Sequence, residues 1–594
     1  MEYGCDLTER VQHVEDFAKD CERKFINVDI SDKDGEHLQM ERCTGVTLEW
    51  KNITYHVKAT KGKKLLLSSL YGLASPGTLT AVMGPSGAGK TTLLNILSGH
   101  IDKTYEGEVQ VNGYVRDTNL FNMQSCYVMQ DDCLLQYLTV REALSTSIRL
   151  RTSTRRKNKI LELVEDIIKL WGLEHCADTL TRSLSGGEKK RLVIAQELVN
   201  NSPVVLVDEP TSGLDSSSAL RCVRVLKSLA ESGRTVLCSV HSPSARLFSH
   251  FDRLYMLSEG KCIYNGSAEM LVSFLDSQKL HCPPYHSPSD FITSIASGEH
   301  GELTEKLSSL FIPKKPSMKD SKNGDDLRQL TIYGGQVMTE KEKAEERRQH
   351  KVHAKSHQLF LTLLERFFYC SMRNKCRSHR SSAIGPAVFT LPYEVKVLLR
   401  EQRNCCYSPS LYYTARILSE VPFTVAGPLV IMTTVHWTTS QPMEFYRLAI
   451  IVAFSVAFCS ACEGLAYVAS ATFSMETAIF MACPVAAPSL MFCGFFAQPR
   501  YMMPAVRWIT YTSHMYYVHR AIMLAVYGGG RGEIGCDEQD VDVACVPVDG
   551  DHVLDRLGIH EVDLFAYFGI VLAIDFALKL TAFALLKWRL WRRV

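Results

Sequence analysis

An α/β P-loop NTPase domain followed by an all-α domain with several membrane crossings is the architecture that this 594-residue sequence predicts. Three observations predict it. The phosphate-loop pattern Gly84-Pro-Ser-Gly-Ala-Gly-Lys-Thr91 stands between a β-rich run, Thr78 to Met83, and a helical run opening at Lys90, the context that the motif requires. From about Gly45 to about Gly266, short β-rich runs alternate with amphipathic helical stretches, as they do in an α/β domain. From Tyr412 onward come apolar runs long enough to cross a bilayer, given the ~20 residues that a helix needs.

Charge and composition narrow the function. Sixty-six basic residues against 64 acidic give no electrostatic basis for bulk binding of nucleic acid. The mean hydropathy is close to zero, but that average hides a polar first two thirds and an apolar last third, which excludes a wholly soluble protein.

The first 44 residues form a polar, acidic extension with no apolar signal core, so the N-terminal half is expected in the reducing cytosol. There the sequons at Asn52, Asn200 and Asn265 should stay unused, and the 20 cysteines, spread along the chain, do not read as a disulfide scaffold. Residues 45–298 are assigned to the nucleotide-binding domain, with Thr78 to Met83, Pro203 to Val207 and Thr235 to Ser239 as its best strands. Residues 299–357 read as a charged linker containing Pro313, Pro316 and the run Glu340 to Arg348. Residues 358–375 resume helical periodicity, with Leu359, Phe360, Leu363, Leu364 and Phe367 on one side. That suits a helix lying at a membrane surface or, equally, a surface helix of the preceding domain. The transmembrane domain, 376–594, has four expected spans, at about 412–437, 446–470, 476–497 and 564–587. Four crossings return the chain to its starting side, and the basic tail Lys587, Arg589, Arg592 and Arg593 fits a cytosolic end. Residues 498–563 would then be an extracellular loop, in which Cys536 and Cys545 either form a disulfide or remain two free thiols.

The chemistry begins at the phosphate loop. Gly84, Gly87 and Gly89, with Pro85, Ser86 and Ala88 between them, let successive backbone N–H groups wrap phosphates. Lys90 brings a cation to the β and γ oxygens, the Thr91 hydroxyl suits Mg²⁺, and Thr92 counts with them toward the nucleotide. Val204-Val-Leu-Val-Asp-Glu209 is an apolar strand ending in two carboxylates: Asp208 for the Mg²⁺ shell and Glu209 to polarise an attacking water. Between them, Leu184-Ser-Gly-Gly-Glu188 precedes a helical run, Lys189 to Val199, so Ser185, Gly186 and Gly187 offer a second phosphate-binding surface at a helix N-terminus.

These motifs together resemble an ATP-binding cassette: the P-loop, the Leu-Ser-Gly-Gly signature, the Asp-Glu pair, Ser212-Gly-Leu-Asp215 and a lone His241 after a strand. The resemblance implies that Gln130, in Tyr127-Val-Met-Gln130, is the Q-loop residue that shares the Mg²⁺ site and links nucleotide state to the membrane helices. It implies His241 as the switch histidine at the γ-phosphate, Asp215 as a D-loop residue and Tyr55 as a stacking partner for adenine, although an aromatic in a strand is more often packing. The cassette-first order, with Asn200-Asn-Ser-Pro203, Glu209-Pro-Thr-Ser-Gly-Leu-Asp215 and Glu420-Val-Pro-Phe423, resembles the half-transporters of the G subfamily over nearly the whole chain. That likeness implies ATP and Mg²⁺ as cofactors and a homodimer or a heterodimer with another such half-transporter, because one P-loop and one signature make half of two shared sites. It also implies a plasma-membrane protein with the cassette and both termini in the cytosol, and a hydrophobic small molecule as cargo.

One departure stands against that likeness. The family carries six spans, and here only Cys376 to Leu391 separates the connecting helix from Pro392 to Tyr407, which looks like the loop entering the third span. Two crossings are therefore expected to be missing. Two functions follow as alternatives: ATP-driven export of lipid-like or amphipathic substrates (sterol, lipid or xenobiotic) by a dimer, or a non-transporting, ATP-binding form that modulates a full-length partner. Within the spans, Asp575 and Lys579 are spaced to pair on one helix face, Glu463 has no such local partner, and Cys459 and Cys462 read as packing residues.

Overall fold

The computed structural model describes residues 45–312 and 356–593 apart from 60–61, 103, 131–132, 152–156, 200–201, 284–285, 302, 374–384, 405, 440, 442–443, 530–532, 535–547 and 560–562. Cys536 and Cys545 therefore lie outside the described residues. The chain divides into two units. One ends at Thr362 and takes in Glu401–Tyr407; the other comprises Leu363–Arg400 and Ser408 onward.

Among its described residues the first unit contains ten strands: β1 (Leu48–Ala59), β2 (Gly62–Ala74), β3 (Leu79–Met83), β4 (Tyr105–Val111), β5 (Tyr114–Val115), β6 (Ser125–Val128), β7 (Val204–Val207), β8 (Thr235–Val240), β9 (Arg253–Ser258) and β10 (Lys261–Ser267). Six form a sheet in the order β10-β9-β3-β8-β7-β6, parallel from β9 to β6. Its strands β3, β6, β7 and β8 are buried along their whole length. Burial on both faces is what a central parallel sheet demands, and it explains why these strands read as unbroken apolar runs. The helices that position the site are α1 (Lys90–Leu97), α2 (Val140–Arg151), α3 (Lys157–Trp171), α4 (Gly186–Leu198) and α5 (Ser216–Glu231). A second sheet, antiparallel and ordered β2-β1-β4-β5, shares a core with the first through Trp50, whose ring meets Tyr255 edge-on at 5.3 Å.

The three strands named from sequence form within one residue of their expected ends. The linker boundary moves. A short helix, Thr304–Ser308, follows residue 298, and Phe311 packs its ring near Tyr264 and Phe274. The first unit thus keeps residues up to 312 that composition alone assigned to the linker, because Leu307 and Phe311 give that stretch an apolar anchor.

The second unit is helical, with most of α6 (Ser356–Arg373) and of α7 (Gly385–Arg403) and with α8 (Pro409–Thr438), α9 (Phe445–Thr472), α10 (Met475–Met491), α11 (His514–Tyr527) and α12 (Leu564–Arg593). Three of them, α8, α9 and α12, are long and apolar enough to cross a membrane. The third expected span forms as α10, of only 17 residues with Pro484 and Pro488 inside. The expected loop at Pro392 is instead helix, α7, with Pro392 within it. Likewise, the described residues of 498–563 are largely helical; α11 buries Tyr516, Tyr517, Val518 and Ala521 in one cluster with Phe454 and Val571.

Two groups of charges inside this unit are paired. Arg416 is held between Glu394 at 3.1 Å and Glu420 at 2.6 Å, and Lys579 meets Asp575 at 2.9 Å with the Ser460 hydroxyl touching both. The self-neutralised pair on α12 thus forms as its spacing predicts. Cys459 and Cys462 are free thiols, but the fold brings a histidine that sequence spacing does not show: His514 lies 3.6 Å from the Cys462 sulfur.

Candidate nucleotide site

Three strands expected from sequence, β3, β7 and β8, and a fourth, β6, converge at one edge because they run parallel. Their carboxyl ends carry Gly84, Gln130, Asp208 and His241, and that is the edge at which open α/β sheets bind ligands.

The loop after β3 turns on glycines. Gly84 has φ 151°, and a Cβ there would sit 2.4 Å from the Leu257 carbonyl; Gly89 has φ 102°, and a Cβ there would strike Leu67 at 2.5 Å. Only glycine fits either place. Lys90 opens α1 and folds back, its Nζ donating to the carbonyls of Gly84 at 2.7 Å and Pro85 at 3.2 Å. Burial pulls its pKa below the ordinary lysine value, against the opposing pull of the Glu209 and Asp208 carboxylates. The Ser86 hydroxyl lies 3.2 Å from His241 Nε2, so the switch-histidine candidate faces the phosphate loop. Thr91 and Thr92 occupy the first turn of α1 and are half-buried.

The two carboxylates after β7 have different surroundings. Asp208 is 1% exposed; one oxygen accepts from the Ser239 hydroxyl, and the other, Oδ2, is buried with no hydrogen-bond partner among the described residues. A buried carboxylate oxygen left unpaired is costly, and a divalent cation is a partner that would satisfy it. Glu209 has φ 49°, a backbone conformation that non-glycine residues adopt at a cost and that recurs at functional sites. Its N–H donates to Ser239 Oγ at 2.8 Å, and its carboxylate accepts from Gln130 Nε2 at 2.9 Å. Gln130 is exposed, and its amide oxygen remains available. Sequence reasoning missed Ser239 and Lys190. Ser239 holds both acidic residues from β8, and Lys190 donates to the Gln130 carbonyl at 2.9 Å. A lone serine in an otherwise apolar strand was the available signal for Ser239; nothing marked Lys190.

The signature sits elsewhere. Ser185 caps α4 by accepting from the Glu188 N–H at 3.3 Å, and the Glu188 carboxylate returns to the Ser185 N–H at 2.8 Å, a reciprocal capping box. The helix therefore begins three residues earlier than the expected Lys189. Ser185 and Gly186 are exposed, and among the described residues no hydrogen bond joins them to the P-loop. Gly187 follows in the same turn. Asp215 also caps a helix, α5, accepting from the Ser218 N–H at 3.1 Å; the Ser217 hydroxyl and then Ser218 hold its carboxyl well below the usual carboxylate range. Tyr55 is half-buried in β1 and packs on the hydrophobic core, the packing role that an aromatic in a strand usually has.

The family described as ABC transporter matches residues 68–212, and the family described as ABC-2 type transporter matches residues 381–527. The chain is 27% identical to protein scarlet of Drosophila melanogaster, over 92% of this chain and 90% of that protein. It is 28% identical to ABC transporter G family member 14 of Arabidopsis thaliana, over 80% and 83%. It is 39% identical to the broad substrate specificity ATP-binding cassette transporter ABCG2 of Mus musculus, over 43% and 41%. A solved dimeric ATP-binding cassette, in a post-hydrolysis state with ADP and phosphate, aligns with 27% identity and a TM-score of 0.34 over 37% of this chain and 98% of that one.

Proposed function

Because this chain belongs to the ATP-binding cassette transporters, in the cassette-first arrangement of the G family, we propose that it is one half of a dimer that exports a lipid-like or amphipathic molecule. The observation that carries this reading is the exposed signature: Ser185 and Gly186 face outward while the P-loop residues converge at another place on the same chain, so a second chain is what completes each site. That second chain is a copy of this one or another G-family half-transporter.

In the site so formed, the glycine loop and Lys90 bind the β and γ phosphates, Ser86 and His241 lie at the γ-phosphate end, and Tyr55 is the candidate for the adenine. Asp208, Thr91 and the Gln130 amide oxygen would hold Mg²⁺, which neutralises the charge gathering on the bridging oxygens. Glu209 takes the proton of the attacking water, and Gln130 steadies its carboxylate. Ser185 and the N–H groups of Gly186 and Gly187 come from the partner, with Asp215 at the same junction. On this reading the protein sits in the plasma membrane with the cassette and both termini in the cytosol, which the basic tail Lys587, Arg589, Arg592 and Arg593 supports. ATPase turnover of the dimer in lipid discs, set against Glu209→Gln, tests this: turnover that survives in the mutant overturns the assigned chemistry.

A second reading rests on one observation. Only residues 374–384 lie between α6 and α7, too few for a span of ~20 residues. The alignment with scarlet runs over 608 residues, more than the 594 of this chain, so part of that relative has no counterpart here. A chain so shortened could pair with a full-length half-transporter and restrain it. Co-expression decides between the two readings, since a restraining chain lowers its partner's export and a working one supports it.

A further inference from the structure

Within the helical unit lies a cavity of about 570 Å³, bounded by α8, α9, α11 and the turn after α10, which is within the size range of small-molecule sites. Its walls are aromatic and aliphatic, with Phe423, Phe458, Phe495 and Phe496 among them. Into these walls the fold sets two carboxylates, Glu420, which is paired with Arg416, and Glu463. Glu463 of α9 lines the cavity and accepts one hydrogen bond, from Thr424 Oγ1 at 2.7 Å. The membrane cations nearby are committed: Arg416 to Glu394 and Glu420, and Lys579 to Asp575. A carboxylate in apolar surroundings without its own cation is costly, and such residues inside membrane domains mark ligand paths.

A second observation points the same way. Ser455 is 4% exposed, lines the same cavity, and its hydroxyl has no hydrogen-bond partner among the described residues. Both ring nitrogens of His519, another lining residue, are buried and have no hydrogen-bond partner among the described residues. Ser455 lies eight residues before Glu463 on α9, about 12 Å away at ~1.5 Å per residue. The cavity therefore offers an anionic end, an aromatic middle suited to a cation or an apolar chain, and a neutral polar end.

We propose that this cavity binds lipophilic amines, with the ammonium group on the Glu463 carboxylate, the apolar body against the phenylalanines, and any hydroxyl or ether oxygen toward Ser455 and His519. This depends on the exporter reading only in making the bound amine cargo; binding itself does not.

Equilibrium binding of tritiated N,N-dimethyldodecylamine to the full chain in lipid discs, without nucleotide and with empty discs as blank, tests the proposal, with 1-dodecanol as the uncharged comparison. Saturable binding of the amine is expected, at least tenfold tighter than the alcohol, with Glu463→Gln removing that preference. Gly427 also lines the cavity, and a Cβ there would meet nothing within 4 Å, so Gly427→Leu fills the space without a clash at its base and should abolish binding of both ligands. Equal binding of amine and alcohol to the unaltered chain, full amine preference in the glutamine variant, or undiminished binding in the leucine variant would each overturn the proposal. ATPase turnover on the same discs separates the two readings: turnover without amine binding removes this site and leaves the exporter, whereas amine binding without turnover does the reverse.

Discussion

At the scale of single residues, the site depends on Ser239 as well as on the motif residues. Its hydroxyl donates to Asp208 and accepts from the Glu209 N–H, so it sets where both carboxylates stand. Hydrogen bonds to charged groups contribute about 1.5 to 3 kcal/mol. Ser239→Ala should therefore lower ATP turnover by roughly ten- to a hundredfold with nucleotide affinity little changed; steady-state kinetics with a nucleotide titration check the split. Glu209→Gln, which removes the proposed base, should cost at least ~100-fold in turnover while a fluorescent ATP analogue still binds. Histidine 100 makes the pH case. Burial, then the charge of Arg403, lowers its pKa to about 3, against a raising hydrogen bond from Ser98 and with a smaller lowering by Arg116. The unfolded chain thus binds this proton near pH 6.5 and the folded chain does not, so stability is full above pH 6.5 and declines as pH falls from there toward 3. In His100→Gln that part of the decline should vanish; melting curves at pH 7, 5 and 4 with the same slope in both proteins would sink the assignment.

At the scale of elements, the informative contact joins α2, α4 and the short segment Glu401–Tyr407. Arg151 pairs with Glu197, which is 1% exposed, and also donates to the Glu197 carbonyl at 2.9 Å; Asn404 donates to the same carboxylate. Removing one partner of a buried pair leaves an uncompensated charge and costs about 3 to 5 kcal/mol. Arg151→Met is expected to destabilise the cassette by that order in chemical denaturation, whereas a surface pair such as Lys261 with Glu305 should matter little when broken. A loss under 1 kcal/mol for Arg151→Met would show that the pair is not the fastening it looks to be. The pairing was invisible in sequence, since 46 residues separate its members and no motif marks either.

At the scale of the whole molecule, each chain supplies one P-loop and one signature, so defects should complement across a dimer. Mixed dimers carrying Lys90→Ala in one chain and Ser185→Arg in the other are expected to retain one intact site and measurable turnover. With both changes in one chain of a mixed pair, each composite site carries a defect and turnover should vanish. Equal turnover in the two arrangements would exclude shared sites.

Local chemistry made the nucleotide site legible in the sequence, because glycine spacing, a lysine and terminal carboxylates act over a few residues and carry their own backbone constraints. Periodicity likewise located α8, α9 and α12, since burial in lipid leaves a long uncharged run. What those signals could not reach depends on residues distant in sequence: Ser239 under Asp208, Arg151 on Glu197, Phe311 extending the cassette, α7 in place of a loop, and α11 buried where a loop was expected. Packing, not pattern, decided these. The amino-acid sequence by itself determined that this protein binds and uses ATP beside a membrane; only the tertiary structure decided which buried charges are paired and which, like Glu463, face a cavity, because pairing is a matter of distance in space.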